Sequence, residues 1–175
     1  MIIWIDGANG VGKSHVAAEL AERLINRNAE YVESDLYWRN LIQNDFLKTF
    51  AGFEPYRNKY LLDILRNELE QKFHNLGKVP IVPMSLVDKL CEKELLEYFE
   101  KKKIPMLHII LEAKKETVIY RIENDPIRDE SAKSQQKYNV SWQIQYLKEN
   151  YPDAIRINTE DKNLNEIENE IIALL

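Results

Sequence analysis

Gly7, Gly12, Lys13 and Ser14 stand in the run "GANGVGKS", in the spacing G-x-x-x-x-G-K-[ST]. The chemistry these types suit is anion binding. Phosphate oxygens need several donors close together, and backbone N–H groups supply them where the chain curls without side chains in the way. Gly7, Ala8, Gly10 and Gly12 leave that curl open. Lys13 adds a point charge for the outer phosphates. Ser14 adds a hard hydroxyl oxygen suited to Mg²⁺. The apolar run "IIWI" precedes the motif, and a helical pattern starts at Lys13. The free N–H groups and dipole of that helix would face the same anion. With Asn9, Val11 and His15, residues Gly7 through His15 form the expected nucleotide-binding set.

A phosphate cradle alone does not separate hydrolase, kinase and motor. The stretch "YVESDLYWR" places Glu33 and Asp35 two residues apart. On a strand continuing through them, both would face one side. Paired acids there have natural roles: Glu33 holds Mg²⁺ through water, and Asp35 takes or orients the proton of a substrate hydroxyl. A solvated strand–loop junction is the plainer alternative. The run "IVPMSLVD" offers no acid before Asp88, where many such proteins carry a metal-binding aspartate. That departure shifts the metal role to Glu33 and Asp35. It fits small-molecule kinases better than motors, and no "NKxD"-like guanine-reading motif is present.

Phosphoryl transfer also needs positive charge around the migrating group. Arg121 and Arg128 flank the start of the polar stretch "NDPIRDESAKSQQKYNVS", residues 124–141. That stretch reads as a lid whose closure would bring both guanidinium forks onto the γ-phosphate and exclude water. Surface salt bridges are the alternative for each. Arg57, in "FEPYRNKYLLDIL", could orient an acceptor or simply end a helix in solvent. Tyr37, Trp38, Phe46, Phe50, Phe53 and Tyr56 crowd the same region, about 36–75. They would suit a flat or lipid-like acceptor, although aromatics at this density commonly build core. His108 reads as a buried strand histidine with a hydrogen-bond partner, Trp142 as a helix anchor and Cys91 as a packed thiol.

Positioning these residues requires alternating elements. Short continuous apolar runs at 2–5, 31–33, 79–84, 106–111 and 154–157 suit strands buried on both faces. Helical patterns between them predict helices over 13–26, 56–74, 87–101, 114–124, 140–150 and 163–175. Such alternation implies a parallel sheet with helices on both faces, a three-layer α/β domain. Pro80 is expected to precede the ladder and Pro83 to end the strand. The 175 residues suit one domain. A net charge of −5 disfavours a nucleic-acid groove. One cysteine and apolar runs too short to span a bilayer fit a cytoplasmic protein.

The start "MIIWIDGANGVGKS", the run "IVPMSLV", the segment "LEAKKETVIYRI" and "NVSWQIQ" together resemble the tunicamycin-resistance protein family of P-loop ATP-binding proteins. More distantly, the layout resembles shikimate-kinase-like and chloramphenicol-phosphotransferase-like kinases. The resemblance implies a five-stranded parallel core in the order 2-3-1-4-5, ATP–Mg²⁺ binding, and a nucleoside-like or antibiotic ligand. It also implies that Glu33 and Asp35 stand for that group's paired acids, and that Arg57 and Arg121 fall on family arginines.

The leading expectation is an ATP-dependent kinase of a small hydroxyl-bearing acceptor, as monomer or homodimer, with a link to tunicamycin resistance. Lys13, Asp35, Arg121 and Arg128 are its expected catalytic residues, Asp35 and Arg57 its acceptor contacts, and Ser14 and Glu33 its metal side. The alternatives are a protein that sequesters such a ligand without modifying it, and an ATPase acting on protein partners.

Overall fold

Burial on both faces decides the position of the first strand. In "IIWIDG" every residue is buried, so β1 (Ile2–Gly7) is the centre of the sheet. The computed structural model describes residues 1–36 and 58–175. Its five strands are β1, β2 (Ala29–Tyr31), β3 (Val79–Pro83), β4 (Met106–Glu112) and β5 (Ile155–Asn158). They pair in parallel in the order β2-β3-β1-β4-β5. The helices are α1 (Lys13–Arg23), α2 (Lys59–Leu76), α3 (Lys89–Cys91), α4 (Glu97–Lys101), α5 (Lys115–Glu123), α6 (Glu130–Asn150) and α7 (Leu164–Ile172). This is the three-layer α/β domain that the alternation implied, in the strand order that the family resemblance implied.

Side chains of a strand alternate between faces, and two cores follow. Ile2, Trp4, Val82 and Ile110 pack with Leu65 and Leu69 of α2, Phe99 of α4 and Leu147 of α6. Ile3, Ile5, Ile81 and Ile109 pack with Val16 and Leu20 of α1 and with Ile167 and Ile171 of α7. The chain runs from β1 outward to β2, then returns past β1 to β4. Strand order therefore reverses at β1, and the crevice at its carboxyl end is where open α/β sheets hold ligands.

Several boundaries differ from the sequence reading. β2 pairs with β3 from Ala29↔Val79 to Tyr31↔Ile81, two residues earlier than expected. Val32 still donates to Ile81 O at 2.9 Å, but a helical turn begins at Ser34. Glu33 and Asp35 therefore do not share a strand face. Pro80 lies inside β3, opposite Glu30. It is tolerated because pairing of β3 with β1 begins one residue later, at Ile3↔Ile81, so no ladder donor is missed. Between α3 and α4 the chain is π-helical over Glu92–Leu96. There the nearly buried Glu94 accepts from Lys59 at 2.8 Å and Arg66 at 2.9 Å, which ties this stretch to α2.

The expected lid stretch 124–141 is mostly helix. α6 starts at Glu130, with the Asp129 side chain accepting from Ala132 N at 2.8 Å as its N-cap. Only 124–129 connect the two helices outside helical structure. The early turns of α6 went unread because no residue of 130–139 is buried, so they leave no apolar period. Cys91 is fully buried, as expected of a packed thiol. Tyr37, Trp38, Phe46, Phe50, Phe53, Tyr56 and Arg57 lie outside the described residues.

Candidate active site

The glycine loop joins β1 to α1 at the point where strand order reverses. Gly12 is the N-cap of α1 with φ 110°, and Gly10 has φ 82°. Both lie in the left-handed region that side chains resist. A Cβ on Gly10 would also overlap Ile122 of α5, so the loop lies directly against that helix. The loop is pinned from three sides. Asn9 N–H donates to the buried Gln143 Oε1 of α6 at 2.9 Å. Ser85 Oγ, just past β3, donates to Gly7 O at 2.7 Å. Arg121 Nη1 donates to Val11 O at 3.2 Å.

Lys13 begins α1 and folds back over the loop. Its ammonium donates to Gly7 O at 2.9 Å and Ala8 O at 3.0 Å. Burial lowers its pKa to about 8, partly opposed by the charges of Asp6, Asp35 and Glu33, while Arg128 pushes it further down. All four of those charged groups therefore act on Lys13. Glu33 and Asp35 thus act on the lysine through their charge, and Arg128, which pairs with Asp125 at 2.9 Å in the 124–129 connection, acts on it in the opposite sense.

Asp6 was not singled out in the sequence. It is wholly buried at the end of β1. Its Oδ1 accepts from Gly7 N at 2.6 Å and Leu86 N at 3.1 Å, and its Oδ2 meets His108 Nε2 at 3.0 Å. His108 has the hydrogen-bond partner expected of it. With both oxygens occupied, Asp6 holds the root of the loop and offers its charge, not a coordination site.

Tyr31 was missed as well. Its hydroxyl donates to Glu33 and also lies within hydrogen-bonding reach of Ser14. Burial raises its pKa, with the Glu33 contact adding to the shift. Ser14 and His15 are exposed in the first turn of α1, and Asp35 is exposed on the helical turn after β2. Ser14 and Glu33 thus share one neighbour, Tyr31, and fit the metal side of the site. Among the described residues no three His, Cys, Asp or Glu side chains gather as a metal cage. A magnesium ion here would depend on phosphate oxygens and water for most of its shell, as that ion commonly does.

Arg121 is committed elsewhere. Besides Val11 O, its fork reaches Thr159 Oγ1 at 2.9 Å and Thr159 O at 3.0 Å, beyond β5. In this arrangement it braces the loop's crest. Arg57 is not among the described residues. Trp142 anchors α6 as expected, half-buried, with its indole N–H donating to Asn139 at 3.0 Å. The missed partners share one cause. Gln143, Ser85 and Thr159 carry no chemical signature, and only the tertiary fold brings them to the loop.

Comparison with known proteins agrees with this architecture. The solved structure of the Deinococcus radiodurans tunicamycin resistance protein superposes with a TM-score of 0.72 at 22% identity, covering 99% of this chain and 94% of that one. A gluconokinase from Sinorhizobium meliloti 1021 gives 0.63 at 15% identity, covering 98% and 89%. At these identities the likeness is one of fold, and the fold is that of P-loop kinases. A family described as RNA helicase matches residues 3–55, the stretch that carries the glycine loop. No curated protein sequence matches the chain.

Proposed function

We propose that this protein binds ATP at Gly7–His15 and transfers its γ-phosphate to a hydroxyl of a small acceptor. The observation that carries the reading is the Lys13 ammonium folded over the glycine loop at the carboxyl end of β1, beside the exposed Ser14 and within the charge field of Glu33, Asp35 and Arg128. A purely structural loop has no need of three such groups.

On binding, Lys13 exchanges its two loop carbonyls for β- and γ-phosphate oxygens. The free N–H groups of α1's first turn face the same oxygens. Ser14, with Glu33 through water, would hold Mg²⁺, which would neutralise charge on the β- and γ-phosphates. Asp35 accepts the proton as the acceptor oxygen forms its bond to phosphorus. The bond from phosphorus to the bridging β–γ oxygen breaks, and ADP leaves. Arg128 supplies charge to the transferring group as the 124–129 connection closes over it. Arg121 keeps the loop in shape, and its fork reaches the γ-phosphate only if its Thr159 contacts give way. The acceptor lies against the region around 36–75, with Arg57 orienting it.

The likeness to a tunicamycin resistance protein makes nucleoside-like antibiotics, tunicamycin first, the acceptors to test. The setting proposed is cytoplasmic. Among the described residues no helix is long and apolar enough to cross a membrane.

A second reading, ATP-dependent sequestration without transfer, draws on Ser85 standing past β3, in the stretch where the sequence reading sought an acid. One experiment separates the two. Mass spectrometry of candidate ligands after incubation with ATP shows a gain of one phosphate only under transfer. Asp35→Asn is expected to keep ATP affinity within about twofold while lowering transfer roughly 10²- to 10⁴-fold. Transfer at the wild-type rate by that variant removes Asp35 as the base.

A further inference from the structure

A second cleft opens behind the glycine loop, between α6 and the β4–β5 edge of the sheet. It measures about 510 Å³, within the range of small-molecule sites. Its walls are Leu111, Val118, Ile144 and Leu147, and its inner end is formed by Ala8 and Val11 of the loop itself. None of Lys13, Ser14, Glu33 or Asp35 lines it.

Charge at its mouth is uneven. Glu112 is neutralised by an ion pair with Arg156, whose other amino group caps α6 through Leu147 O at 3.0 Å and Tyr151 O at 2.9 Å. Glu160 accepts from Lys114 N–H at 2.6 Å, and this bond, with a second from Thr117, lowers its pKa. The ammonium groups of Lys114 and Lys148, both exposed at the rim, have no ion-pair partner among the described residues. The Glu160 carboxylate acts on Lys114 through its charge, so the rim carries three cations against two carboxylates, with Lys148 the cation least opposed; apolar walls with this net positive rim match an apolar body with a single anionic head.

We infer that this cleft is a binding site for an amphipathic anion, separate from the nucleotide site and sharing a wall with its loop. The apolar body packs on Ile144 and Leu147, and the carboxylate or phosphate head meets Lys114 and Lys148. Loss of apolar area from water drives binding, and the lysines select charge.

Titration calorimetry with octanoate, octyl phosphate and octanol tests this. Saturable binding of at least one anion below about 1 mM is expected, with octanol several-fold weaker. The stronger of the two anions identifies the head group. Lys148→Glu, an exposed change that spares the core, is expected to weaken the anions roughly tenfold and leave octanol unchanged. Ile144→Trp fills the cleft and is expected to abolish all three. Saturating ATP should leave octanoate still bound. The inference fails if neither anion saturates, if Lys148→Glu weakens octanol equally, or if ATP displaces the anion competitively, which would make the cleft part of the nucleotide site. It stands or falls independently of phosphoryl transfer, because no arm measures that reaction.

Discussion

Lys13 meets two opposed demands. Burial disfavours its charge, yet the phosphate binding proposed for it requires that charge. Asp6 is the largest opposing influence, ahead of Asp35 and Glu33. With a pKa near 8 before nucleotide arrives, the lysine is mostly charged at neutral pH. Affinity for ATP should therefore weaken as pH rises through about 8, because deprotonated Lys13 must regain its proton to bind. In Asp6→Asn that weakening should begin at lower pH, since removal of the carboxylate lets the lysine lose its proton sooner. Calorimetric ATP titrations across pH 6 to 9 read both effects, and coincident profiles would remove Asp6 from this role. The same depressed pKa has a consequence for stability. A lysine with lowered folded-state pKa holds fewer protons folded than unfolded between about 8 and its ordinary 10.5, so its penalty is full below that window and fades as pH rises through it. Lys13→Met should accordingly stabilise the nucleotide-free protein at pH 7 by about 1–2 kcal/mol in urea unfolding, while abolishing ATP binding.

At the scale of elements, the loop is shaped by helices that come much later in the chain. α5 presses Ile122 against Gly10, and α6 supplies Gln143 to Asn9 N–H. Gly10→Ala combines a positive φ with overlap, so a destabilisation of about 2–3 kcal/mol and loss of ATP binding are expected. Gln143→Ala releases the N–H of Asn9 while leaving every residue of the loop itself unsubstituted. ATP affinity should fall about three- to tenfold while the far-ultraviolet spectrum stays unchanged. An unchanged affinity would show that the Gln143 contact does not shape the loop. These couplings explain part of what the sequence left unread. The glycine run identifies itself. Its supports do not, because a glutamine on a largely polar helix looks like any surface residue.

For the whole molecule, stability rests on two cores that share one sheet. Phe99, fully buried in the core that also holds α2 and α6, tests one of them. Phe99→Ala should cost about 3–5 kcal/mol, with one cooperative transition if the faces unfold together. Two separated transitions would show that the α1–α7 face survives alone.

The sequence by itself determined the glycine loop between β1 and α1, the α/β alternation and the buried strands, because continuous apolar runs and a glycine–lysine spacing are local signals. It also named Glu33, Asp35 and Arg128 before any of them had a position. It misjudged how the two acids are presented, because the end of β2 is set by its register with β3 and not by its own residues. It read α6 too short, because an exposed helix leaves no apolar period. The role of Asp6, the bracing of the loop by Gln143, Ser85 and Arg121, and the cleft behind it were decided only by tertiary structure. The role of Asp6 and the bracing of the loop depend on contacts between residues 78 to 134 positions apart, and no spacing along one chain encodes such a meeting.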